Sequence, residues 1–303
     1  MKMLFEETGL EFNTLNAPLY IEKKVSVIVA RLDKIHPVIS GNKLFKLHYF
    51  LQGSIMQNLK PVLTFGGAYS NHLVATAYAC KEAGINCTGI VRGEMPAVPS
   101  HTLQQCKGYG MQLHFISREE YEKKESFQFI EQLTRQFGEC IIIPEGGYHP
   151  LGAAGAALIM DKISGQHATH VCTAVGTATT LAGLLKNNNG NERIIGIPVL
   201  KNLNDIKERL SFLGCADQID SLDIFDEYHF GGYAKRTPGL ISFMNALFMN
   251  HAIPTDFVYT AKMMYAVLDK IEKDFFPEGS QVVCLHTGGL QGNHSLPAGT
   301  LVF

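Results

Sequence analysis

Two lysines three positions apart, Lys43 and Lys46, follow the polar turn Ser40-Gly41-Asn42, and the apolar Leu44, Phe45, Leu47, Tyr49 and Phe50 around them mark a helix. The positive end of a helix dipole disfavours cations in the first turn, so solubility does not explain them. A lysine amine can instead form an imine with an aldehyde, and a second cation one turn on can meet an anion. The run Val175-Gly176-Thr177-Ala178-Thr179-Thr180 offers that anion a seat. Successive backbone N–H groups with several hydroxyls at a helix start make an anion cradle. The plainer alternative is a helix cap by Thr177. No Gly-Lys-Ser/Thr follows the run, and it is not Gly-x-Gly-x-x-Gly, so neither common nucleotide loop is present. A phosphate cradle without a nucleotide fingerprint points to a phosphorylated cofactor of another kind.

Those residues need elements to converge them. Short apolar runs alternate with stretches of helical period, the pattern of a parallel α/β sheet. It predicts strands within 25–33, 61–67, 85–91, 111–116, 140–147, 169–177, 193–200, 221–226 and 281–289. Helices are predicted over 71–84, 100–110, 119–138, 152–163, 178–188, 204–214 and around 238–250 and 260–273. The reading is α/β: two open, mostly parallel sheets flanked by helices, with a cleft between them. A small domain, 47–153, is inserted in a larger one made of 1–46 and 154–303. Polar or Gly-rich turns leave the strands at Gly66-Gly67-Ala68-Tyr69-Ser70-Asn71, Glu145-Gly146-Gly147 and His286-Thr287-Gly288-Gly289. In open α/β sheets such carboxyl ends line the ligand crevice.

Composition narrows the class. The 303 residues are 46% hydrophobic and 18% charged with a formal net charge of −2, so no basic stripe for nucleic acid is expected. The apolar runs are too short to span a bilayer, and the acidic start, residues 1–15, lacks the apolar core of a signal peptide. Cys80, Cys87, Cys106, Cys140, Cys172, Cys215 and Cys284 are scattered, odd in number and without a Cys-x-x-Cys pair. Such thiols suit a reducing compartment, and a cytoplasmic protein is expected. His167, His170 and Cys172 fall where a loop enters a buried strand, and no metal site is read there.

Taken in order, "SGNKLFKL", "GGAYSNHLVATAYACKEAG", "PEGGYHPLGAAG", "AVGTATTLAGLL", "GGYAKRTPG", "DFVYTAK" and "HTGG" span nearly the whole chain. Together they resemble the 1-aminocyclopropane-1-carboxylate deaminase / D-cysteine desulfhydrase family, which are fold-type II pyridoxal-phosphate enzymes. The resemblance implies pyridoxal 5'-phosphate as cofactor in the cleft between domains, a small amino acid as substrate and a homodimer. Position by position it makes Lys43 the Schiff-base lysine, and it sets Lys46 and the 175–180 run on the phosphate. Asn71 would bond the cofactor's ring oxygen, and Tyr259 would pack on its ring. Ser70, Asn71, His72 and Gly147 would meet the substrate, with Ser70 beside the reacting carbon and Tyr233 above it. Thr287, with Thr260, would surround the pyridine nitrogen, where relatives that open the cyclopropane ring carry leucine and glutamate. A hydroxyl there favours D-cysteine desulfhydrase-like α,β-elimination, yielding pyruvate, sulfide and ammonia. The alternatives are ring deamination to 2-oxobutanoate and a non-catalytic cofactor carrier. A carrier would need only lysine and cradle, so Ser70, Tyr233 and Tyr259 speak against it. Three departures lie where substrate would sit: one glycine before Asn42 instead of two, Tyr69 for a glutamine, and "GGYAKRTPG" for a Tyr-Gly-x-Pro run.

Overall fold

In chain order the elements are β1 (Phe12–Leu15), α1 (Pro18–Glu22), β2 (Ser26–Ala30), α2 (Lys43–Met56), β3 (Val62–Gly66), α3 (Asn71–Glu82) and β4 (Cys87–Arg92). Next come α4 (His101–Gly108), β5 (Gln112–Ile116), α5 (Arg118–Glu122), α6 (Phe127–Phe137), β6 (Ile141–Ile143), α7 (Pro150–Ile163) and β7 (His170–Val175). The chain ends with α8 (Thr179–Lys186), β8 (Arg193–Pro198), α9 (Ile206–Phe212), β9 (Leu222–Ile224), α10 (Pro238–His251), α11 (Thr260–Glu272) and β10 (Gln281–Leu285). The computed structural model describes residues 9–190 and 192–303. The reading of the acidic start as no leader falls largely on residues 1–8, outside the described residues.

Two sheets result, one six-stranded in the order β1-β2-β10-β7-β8-β9 and one four-stranded in the order β5-β4-β3-β6. Every pairing is parallel except that of β1 with β2. Parallel strands covered on both faces need unbroken apolar sequence, which is why β3 and β7 are buried at every position. The four strands of the smaller sheet all lie within residues 62–143, and those of the larger lie on either side of that segment.

One apolar core joins the facing sides of both sheets through α2, α7 and α8. The small residues of α7 allow this. A Cβ added at Gly155 would stand 2.1 Å from the Phe45 carbonyl oxygen, so α2 and α7 touch backbone to backbone. The outer face of the large sheet packs on α11 with Leu247 of α10, and that of the small sheet packs on Tyr121 of α5 and on α6.

The helix predicted over 119–138 is two helices, α5 and α6. Two serines decide it. Ser117 and Glu120 form a reciprocal capping box at the first start, and the Ser126 hydroxyl accepts from Phe129 N at the second. The strand predicted within 221–226 is only three residues long, and the antiparallel β1 was not anticipated. Among the described residues no helix is long and apolar enough to cross a membrane.

Candidate active site

A cleft of about 330 Å³ opens between the carboxyl ends of the two sheets, large enough for a small cofactor with an amino acid. Lys43, Lys46, Ser70, Asn71, His72, Val175, Gly176, Thr177, Ala178, Thr179, Thr180, Tyr233, Tyr259 and Thr287 all line it. Gly147 does not: Gly146 and Tyr148 face the cleft, and Gly147 lies behind them against the Lys46 stem.

The lysine turn is held from two sides. Gly41 has φ +71°, and a Cβ there would fall 1.9 Å from the Thr287 carbonyl oxygen, so only glycine lets this turn dock on the one after β10. Asn42 N donates to that same carbonyl at 3.3 Å, and the Asn42 amide donates to Thr180 Oγ1 at 2.7 Å. The turn is thereby tied to the start of α8 as well. Lys43 Nζ donates to Asn42 Oδ1 at 2.8 Å, and Lys46 Nζ to the Gly146 carbonyl at 3.3 Å.

Both lysines are perturbed. Burial lowers the Lys43 amine to about 8, with Asp256 opposing the shift. Burial, then the like charge of Lys43, holds Lys46 well below the usual lysine range. Among the described residues no carboxylate lies within ion-pair distance of either. Two amines crowded in this way call for an anion.

The cradle meets that need. Thr177 does not cap α8; its hydroxyl pairs with that of Thr179 at 2.8 Å. The cap residue is Ala178, left-handed at φ +62° and without a side-chain cap bond, so the first N–H groups of α8 stay open to the cleft.

Ser70 caps α3, accepting from Leu73 N at 3.3 Å. The N–H groups of Asn71 and His72 then have no partner within the helix. Asn71 Oδ1 is buried without a hydrogen-bond partner, as a side chain built for a bound group would be. His72 donates through Nε2 to Thr64 Oγ1 at 2.9 Å, because that hydroxyl already donates to the Ile143 carbonyl at 2.8 Å. Burial, then Lys43 and Lys46, lower the imidazole to about 3, so it is neutral.

Tyr233 and Tyr259 stand edge to face, 6.0 Å between ring centroids, with 3.4 Å between their hydroxyls. Burial raises both phenols, Tyr259 most, so both keep their protons at neutral pH. The Tyr259 ring packs on Gly176, against the cradle. Thr287 lines the cleft, but Thr260 does not. The Thr260 hydroxyl is spent on Asp256, accepting from its N–H at 2.8 Å and donating to Oδ1 at 2.7 Å. Asp256 also accepts from the N–H groups of Val258, Tyr259 and Thr260, which closes the turn that leads into α11. The sequence missed Arg92, Lys124 and Arg209 as cleft residues. Arg92 ends β4, and the rule about strand ends reaches it.

A phosphate-bearing aldehyde fits these residues: an amine poised near neutrality, a second cation with an open N–H cradle, and an unpaired buried amide. Among the described residues no group of three His, Cys, Asp or Glu could hold a metal.

Comparison with known proteins agrees. A family model described as pyridoxal-phosphate dependent enzyme matches residues 13–288. The chain is 29% identical to a putative 1-aminocyclopropane-1-carboxylate deaminase of Pyrococcus horikoshii, over 88% of this chain and 85% of the relative. It is 26% identical to a D-cysteine desulfhydrase of Yersinia pestis, over 86% of each. A crystal structure described as an ACC deaminase homologue superposes with a TM-score of 0.80 at 25% identity, covering 96% of this chain and 92% of that one.

Proposed function

The chain belongs to the pyridoxal-phosphate dependent enzymes, and from that premise we propose that it eliminates the β-substituent of a small amino acid, D-cysteine foremost. Pyridoxal phosphate is its cofactor; when bound, it supplies an aldehyde for an amine and a conjugated ring that draws electrons from the substrate's α-carbon. Lys43 would hold it covalently, Lys46 and the N–H groups of 176–180 its phosphate, Asn71 its ring oxygen and Tyr259 its ring face. The N–H groups of Asn71 and His72 would hold the substrate carboxylate.

With an amine brought down to about 8, Lys43 has a usable neutral fraction near pH 7 and takes a proton from the substrate's α-carbon. Tyr233 and Tyr259, both protonated, donate hydrogen bonds to the substrate's sulfur from binding onward. D-Cysteine and one water would give pyruvate, sulfide and ammonia.

The observation that carries this reading is Thr287 on the cleft wall, whose hydroxyl would face the ring nitrogen. A carboxylate would enforce a proton there and a hydroxyl does not, which suits loss of a β-leaving group better than opening a carbon ring. The second reading, ring deamination, is favoured by the name of the Pyrococcus relative. Purified holoenzyme offered D-cysteine should release sulfide and pyruvate in equal amounts, and 1-aminocyclopropane-1-carboxylate should give no 2-oxobutanoate. The opposite outcome would install the second reading. A cytoplasmic homodimer completes the proposal, which sizing in solution and cell fractionation test.

A further inference from the structure

Lys262 is an ammonium with no exposed surface, in the first turn of α11, and the chemistry above does not use it. It donates to two backbone carbonyls, that of His229 at 2.9 Å and that of Gly232 at 2.8 Å. The segment that offers them is unusual backbone. Phe230, Gly231, Gly232 and Ala234 all have positive φ, from 51° to 113°. Such conformations are uncommon for side-chain-bearing residues and persist where the surroundings impose them. Here they turn the two carbonyls inward onto one cation.

Each of those carbonyls also takes a backbone N–H, Gly232 N on His229 and Lys235 N on Gly232, so the ammonium completes a closed turn. Neighbouring contacts tie the same segment to α11: the Tyr228 hydroxyl donates to Asp269, and Phe230 stands edge to face on Tyr265 at 5.0 Å. The residue after Gly232 is Tyr233, and the residue before α11 is Tyr259. The helix that carries Lys262 therefore begins at one tyrosine of the cleft and grips the backbone beside the other. Tyr233 is half exposed.

We propose that Lys262 is a positioning residue: its ammonium, closed in by the carbonyls of His229 and Gly232, sets where Tyr233 stands over the substrate. The assignment rests on the reading that Tyr233 meets the substrate. It also gives the "GGYAKRTPG" departure a reason, since two glycines there let the carbonyls turn inward. Asp256 is the charged group whose field supports the ammonium, against burial that pulls it down to about 8.

The test is a mutant cycle on holoenzyme. Lys262→Met keeps the stem and leaves the carbonyls without their cation. It is expected to load cofactor, with the same absorption band as the wild type, while KM rises about tenfold and kcat falls less. Tyr233→Phe should raise KM similarly, and the double variant should be no worse than the single, because both changes remove one function. Lys262→Ala, which leaves room, should recover substrate affinity with added propylammonium. An unchanged KM in Lys262→Met overturns the proposal, and so do effects that multiply in the double variant. Should Lys262→Met fail to fold, Lys262→Ala, which also leaves the carbonyls without their cation, takes its place with the same expectations. Hydrogen exchange of residues 229–236 separates this proposal from the functional reading, because it needs no substrate. Faster exchange there in Lys262→Ala, slowed by propylammonium, supports the positioning role even if wild type leaves D-cysteine untouched. Unchanged exchange removes it whatever the substrate proves to be.

Discussion

Burying an ammonium costs on the order of several kcal/mol unless something answers its charge, and the cleft places Lys43 and Lys46 one helical turn apart. The Asn42 amide oxygen at 2.8 Å and the Gly146 carbonyl at 3.3 Å return only part of that cost. The arrangement is stable in full only with an anion present, so cofactor binding and fold stability are linked. Adding pyridoxal phosphate to cofactor-free protein should raise Tm, and Lys46→Met should shrink that rise more than it alters Tm without cofactor. The sign for Lys43 follows from its lowered pKa: the amine is charged below about 8 and neutral above it. Only the neutral amine attacks an aldehyde, so the initial rate of cofactor uptake should climb as pH rises through about 8 and then level off. Stopped-flow absorbance follows it directly, and a midpoint near 10 would mean that the amine is not desolvated. Lys43→Ala should lose the near-visible band altogether. Much of this site was legible in the sequence because it is local chemistry: a lysine turn, a Gly-Thr cradle and a Ser-Asn helix start each announce themselves within six residues. Asp256, Thr260 and Lys262 were not, because their roles depend on what folds against them. The same hydroxyl in Thr260 would read as a ring contact if it faced the cleft, and it reads as part of the turn before α11 because it faces Asp256.

Elements, rather than single side chains, set the distance between the two lysines and the cradle. The α2 and α7 backbones meet at Gly155, and a methyl there would sit 2.1 Å from a carbonyl oxygen that cannot rotate away. Gly155→Ala should therefore cost about 1–3 kcal/mol or more, read as a lower urea midpoint, with cofactor affinity falling as α2 is pushed off. Gly108→Ala makes the control, since nothing lies within 4 Å of its added Cβ. There the gain in helix propensity should raise stability by about 0.5–1 kcal/mol. The sequence pattern served well where helices cover a sheet with an apolar stripe, and poorly at 119–138. The charge run there reads as one solvated helix, whereas Ser117 and Ser126 each start a short one. A serine's competing hydrogen bond is a weaker signal than periodicity until tertiary packing chooses between them.

At the scale of the whole molecule the order of strands matters most. The last strand, β10, lies between β2 and β7, so the large sheet joins the first and last parts of the chain around its middle. That order was not legible in the sequence, since periodicity marks a strand without naming its neighbour. What the sequence did offer was the location of the turns, and parallel topology then fixed that they share one crevice. The small sheet, by contrast, pairs strands close in sequence, within residues 62–143. Its contacts can form while the large sheet still awaits its final strand, and long-range pairing is slow because loop closure comes first. In the native state the reverse ranking is expected. Val282 to Leu285 and Val171 to Val175 are buried throughout, with strands on both sides. Amide exchange at β10 and β7 should therefore be the slowest in the protein and open only with global unfolding, while β1 and β9 at the edges exchange first. Cofactor should slow the β10 end further, because Thr287 and the Gly41 turn dock beside it. Slow exchange confined to the small sheet, with β10 exchanging early, would mean that the central strand is not the one that holds the cleft together.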